Sequence, residues 1–104
     1  MTVSALVVLG ELDDLDTLLA EAVRRAGTGP DMRVYRRISA QARQLSALLP
    51  VPLHRLVDEA ADAGKRLMDA AETAAPQLMF EVAQRNLLAA VRRHVREMEL
   101  GRAA

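Results

Sequence analysis

Three sets of side chains in this chain could do chemistry: two histidines, four arginines between residues 33 and 43, and a second arginine group between 85 and 96. His54 precedes Asp58 by four residues, so on a helix the two share a face and can touch. A carboxylate against an imidazole is one component of a general base. Catalysis needs a partner within hydrogen-bond reach, but a pair that can touch is not by itself an active site. His94 stands forty positions further on without a partner. Both histidines are expected to be structural. Cys is absent, which excludes disulfides and thiolate nucleophiles, and with them most zinc and iron–sulfur sites. No catalytic residue, metal or cofactor is expected.

Arg33, Arg36, Arg37 and Arg43 follow Asp31 with no further acid among them, and could present a face to phosphate. Arg92, Arg93 and Arg96, with Arg85 before them, form the second group. Against an anion site stands the overall balance of 14 basic and 14 acidic residues, which gives no bulk attraction to nucleic acid. Tyr35 and Phe80 are the only aromatics, too few for base stacking. The first group is expected to pair with acids on neighbouring helices. The second is expected to be a solvated helix end, where the dipole favours cations. An enzyme that holds a dicarboxylate inside a helical bundle needs arginines at core positions, and every arginine here falls outside the apolar seams described next.

The elements that position these groups read as four helices, over 4–26, 31–49, 53–75 and 77–99. Apolar residues recur at alternating spacings of three and four, the mark of one helical face. The first seam is Ala5, Val8, Leu12, Leu15, Leu19, Ala22 and Ala26. The second is Tyr35, Ile38, Ala42, Leu45 and Leu49. The third is Leu53, Leu56, Ala60, Ala63, Leu67, Ala70 and Ala74. The fourth is Phe80, Ala83, Leu87, Val91, Val95 and Met98. Thr2 or Ser4 can cap the first helix; "GTGP" (27–30), "PVP" (50–52) and Pro76 punctuate the rest. Gly101 is expected to end the last helix. Residues 3–9 are apolar all round and would pass for a strand alone, but no second strand candidate exists to pair with them. Ala60, Ala61, Ala63, Gly64, Ala70 and Ala71 leave one flank of the third helix almost bare, so a partner helix can approach closely. On that reading Ala63→Leu overpacks the contact, and Gly64→Ala stabilises a continuous helix by up to about 1 kcal/mol.

The fold class expected is therefore all-α: one domain over 1–104, an antiparallel four-helix bundle, completed or extended by homodimerisation. Charge supports the order. The first helix carries five acids and two bases, the second one acid and four bases, the third five acids and three bases, the last segment three acids and five bases. Adjacent helices alternate in sign, which favours the right neighbours. "LSALLPVPLHRLVDEA" (45–60) has the rhythm of a helix-turn-helix, but Pro50 holds the turn position where Gly is frequent. Asp58, Glu59 and Asp62 would face the phosphates with the wrong sign. "PVP" is read as a rigid corner.

No apolar stretch approaches the roughly 20 residues of a membrane span, and "ALVVL" (5–9) is too short for a signal peptide and lacks a basic lead. A cytoplasmic protein is expected. Thirteen arginines against one lysine, with many alanines, suggest a GC-rich bacterial genome. The apolar surplus beyond the seams falls at Val3, Leu6, Val7, Leu9, Leu78, Met79 and Leu88. The function expected is a small non-enzymatic interaction or regulatory module, binding itself or another protein through those residues. A DNA-associated regulator is the alternative, with nucleic-acid binding not expected, and a small enzyme with an arginine-lined pocket comes third.

Overall fold

The computed structural model describes residues 3–103, the side chains to Gly101. Ser4 opens the chain's first helix: its hydroxyl accepts the Leu6 N–H at 3.2 Å, and α1 runs Ala5–Arg24. The apolar run 3–9 is therefore helix from Ala5 onward. Asp31 caps α2 (Met32–Ser46), its carboxylate accepting from the backbone N–H of Arg33 at 3.0 Å and of Val34 at 3.3 Å. Such side-chain caps satisfy donors that have no partner inside the helix. Pro50 stands at the cap of α3 (Val51–Asp69), with Pro52 in the first turn. Proline suits that place because its missing N–H would have no partner there. α4 runs Ala74–Ala103.

Several boundaries differ from expectation, and α2 ends at Ser46 where 49 was expected. α3 stops at Asp69 and not near 75, because Ala70 turns to an extended conformation (ψ 134°). α4 starts before Pro76 and continues through Gly101. Pro76 is its third residue, where a missing N–H costs nothing. At 30 residues, α4 is about 45 Å long and accounts for the molecule's 51 Å long dimension.

The helices pack α1 on α2, α2 on α3, α3 on α4 and α4 on α1, with α1 also meeting α3 across the diagonal. Cross-links fix the antiparallel directions. Gln41 on α2 donates to the Glu11 carbonyl at 3.0 Å, Tyr35 donates to the Lys65 carbonyl at 3.0 Å, and Gln84 on α4 reaches Asp16 at 3.5 Å. The "GTGP" loop does more than stop α1. The N–H of Gly27 donates to the Leu67 carbonyl at 3.0 Å, and that of Gly29 to the Met68 carbonyl at 2.9 Å. The loop thus caps the end of α3, in a path that needs φ of +75° and +104°, which glycine alone adopts without strain.

The core follows the expected seams closely in α1 and α4. Val8, Leu12, Leu15, Leu19 and Ala22 are buried in α1; Phe80, Leu87, Val91 and Val95 in α4. α2 adds Val34 to Ile38, Ala42 and Leu45, with Leu49 buried just beyond its end, while Tyr35 is half-buried because its hydroxyl tip reaches Lys65. α3 is rotated from the expected face. Its buried residues are Val57, Ala60, Ala61, Gly64, Leu67 and Met68, and Leu53, Leu56 and Ala63 lie half-buried beside them. The rotation lets Gly64 face α1 and α4 together. Among the described residues no polar or charged side chain is buried.

Candidate functional site

A closed apolar core leaves the surface to carry any function. The large apolar residues left exposed include Leu6 and Val7 at the start of α1, and Leu78, Met79 and Val82 on α4. The three on α4 line a concave surface. Between α3 and α4 runs a groove of about 460 Å³, with Ala63 and Ala83 between walls of Leu78, Met79 and Val82 on one side and Glu59, Asp62 and Arg66 on the other. The small side chains at 63 and 83 leave the trough. The spacing 78, 79, 82, 83 keeps one face of α4 turned to it. Asn86 lines the same groove.

The expected interface residues divide into two places and an interior. Leu78 and Met79 belong to the groove. Leu6 is 80% exposed and Val7 49%, at the opposite end of the bundle. Val3 and Leu9 pack partly against the core, and Leu9 shares a separate hollow of about 480 Å³ with Arg92, Val95 and Arg96. Val82 and Val95 lie thirteen residues apart on α4, about 20 Å at 1.5 Å per residue, so the patches are distinct. Leu88 packs inward against the core and offers less free surface than the expectation required: it sits one residue from Leu87 on the core side of α4. Val82 was not in the expected set, although its position four residues after Leu78 is the signal that finds it.

The arginines of α2 depart from the expected pairing. Arg37 reaches Glu21 at 4.0 Å. Arg33, Arg36 and Arg43 are exposed and make no ion pair among the described residues. Gln41, not an arginine, takes the Glu11 carboxylate, at 2.5 Å. Arg92, Arg93 and Arg96 are exposed along α4, two of them beside Leu9. His54 does not engage Asp58; its ring Nε2 lies 3.0 Å from the Leu49 carbonyl and closes the "PVP" corner.

Two carboxylates are shifted in opposite directions. Partial burial pushes the Asp16 carboxyl above its ordinary value, against the hydrogen bond from Gln84. The Arg25 guanidinium, 2.7 Å away, holds Asp31 below its ordinary value, helped by the backbone N–H of Val34. Burial also raises the Tyr35 hydroxyl. Asp16 and Asp31 sit on separate elements and form no acid–base pair. Among the described residues no group of three His, Asp or Glu side chains could hold a metal, and no helix is long and apolar enough to cross a membrane.

No protein-family model, characterised protein or solved structure matches the chain.

Proposed function

We propose that the protein is a non-enzymatic interaction module whose binding face is the α3–α4 groove. The observation that carries this is the exposure of Leu78 (64%), Met79 (60%) and Val82 (50%) around one trough. Contiguous apolar surface with a charged rim usually marks an interface. An amphipathic helix laid along such a trough is a common recognition mode. Val82→Asp places a charge in the groove at an exposed position, so the fold survives. Affinity-tagged wild type and Val82→Asp, recovered from the native host and compared by quantitative mass spectrometry, test the reading. Partners or self-association lost with Val82→Asp support it; an unchanged set contradicts it.

The exposure of Arg33, Arg36 and Arg43 without ion pairs among the described residues favours one second reading, a DNA-associated regulator that contacts phosphate through α2. Against it, the net charge is zero and no aromatic interleaves the arginines.

A further inference from the structure

Arg55, Glu59, Asp62, Arg66 and Asp69 are spaced four, three, four and three along α3, which puts them in one stripe. All five are exposed, and the middle three line the groove. The stripe is complementary to itself when reversed. Laid antiparallel about Asp62, Arg55 meets Asp69, and Glu59 meets Arg66 to within one residue, about 1.5 Å along the axis, each pair twice. Asp62 meets its own copy, with Arg66 of the other chain a turn away.

α4 has the same property. Reversed about Val82, Ala75 meets Ala89, Leu78 meets Asn86, and Val82 meets Val82. Small residues at both ends allow close approach, and Glu81 of one chain lies about 3 Å in height from Arg85 of the other, within side-chain reach. The two midpoints also coincide in height. A Cβ on Gly64 of α3 would lie 3.7 Å from the Phe80 ring of α4, and the two helices run antiparallel. Residues 62 and 82 therefore sit level, and one two-fold axis, lying in the interface and perpendicular to the helices, serves both stripes. A foreign partner would need only to complement this face; it would not require the face to complement itself.

We propose that the groove face docks a second copy of this chain, α3 against α3 and α4 against α4, each pair antiparallel about that axis. This rests on the reading of the groove as an interaction surface. It is an isologous arrangement, in which each contact occurs twice. Glu59 presently holds Arg55 at 3.7 Å, with side chains 49% and 78% exposed, a loose contact readily exchanged for one across the axis. The charge pairs fix register and orientation more than strength.

Sedimentation equilibrium at low salt, from low to high micromolar chain, tests the proposal. The wild type is expected to form dimers. Glu59→Arg and Arg66→Glu each set like charges opposite one another at two places and weaken the dimer about tenfold or more. The double variant E59R/R66E restores the pairing and returns to within about threefold of wild type. Far-UV circular dichroism confirms that each variant is folded. A wild type that stays monomeric throughout, single variants without effect, or a double variant as weak as the singles combined would each overturn the second copy as occupant. The groove reading fails separately, when Val82→Asp leaves both dimerisation and host partners unchanged. A monomeric chain whose partners are lost with Val82→Asp sinks only the dimer.

Discussion

A Cβ built on Gly64 would lie 2.8 Å from Leu19 Cδ2. Gly64 sits inside α3, so helix propensity alone favours Ala there by up to about 1 kcal/mol. Leu19 is fully buried and cannot step aside without displacing its own neighbours, and overpacking of this kind costs about 1–3 kcal/mol. The clash wins. Gly64→Ala is expected to destabilise by about 1 kcal/mol in urea denaturation, reversing the expectation drawn from propensity. In a Leu19→Ala background, where Cδ2 is gone, the same change should be neutral or stabilising. Stabilisation in the wild-type background would contradict the packing described.

Ala63 gives the contrasting case. It is half-buried on the groove floor, so Ala63→Leu projects into the open trough and not into a neighbouring helix. Its effect on the stability of the single chain is expected to stay within about 0.5 kcal/mol, well short of the overpacking foreseen for a closed flank. A loss of 2 kcal/mol or more would mean that the groove is not open.

Asp31 and Asp16 predict opposing pH dependences. Asp31 has a folded pKa below its ordinary 3.8. It therefore contributes stability that is present above about 3.8 and lost as pH falls through the lowered folded value. Asp16 has a folded pKa above 3.8, so its contribution is present below 3.8 and lost as pH rises through the raised value. Asp31→Asn, which keeps a capping side chain but removes the charge, should lower Tm at pH 7 and converge on wild type in acid. Asp16→Asn should leave Tm at pH 7 unchanged or raised, with the difference vanishing below about 3.8, where the carboxyl is protonated in both states. Thermal melts between pH 2 and pH 7 check both directions.

For α2, a mobility-shift assay with DNA fragments at low salt is expected to show no tight binding. If the arginines do engage phosphate, affinity should fall steeply with salt, and R33A/R36A/R43A should flatten that slope by about one unit per arginine. Tight binding with that signature would move the regulator reading ahead of the interaction module.

Much of the architecture was legible in the sequence. The 3-4 spacing gave the four helices and most of the α1 and α4 seams, with Ala26, Ala83 and Met98 only partly buried, because each of those helices keeps one unbroken apolar stripe. α3 was less legible. Alanines surround it on several sides, so periodicity could not decide whether Ala60–Ala61–Gly64 or Ala60–Ala63–Leu67 faced inward; contact with both α1 and α4 decides it. Surface charge misled in a different way. Helix-level sign alternation holds, yet side-chain reach lets only Arg37 meet an acid of α1, at 4.0 Å. The groove was half visible, as Leu78 and Met79. Its α3 wall was not, since Glu59, Asp62 and Arg66 look like any solvated helix face until α4 is laid beside them.

The most direct test of the groove as the self-docking face uses the absence of cysteine from the chain. Val82→Cys puts a single thiol beside the proposed two-fold axis, and Leu6→Cys puts one at the other exposed apolar patch. Disulfides need Cα atoms within about 7 Å. Under mild oxidation at micromolar concentration, Val82→Cys should form a covalent dimer rapidly while Leu6→Cys stays monomeric on non-reducing gels. Rapid cross-linking of Leu6→Cys with none for Val82→Cys would move self-association to the start of α1 and contradict the groove.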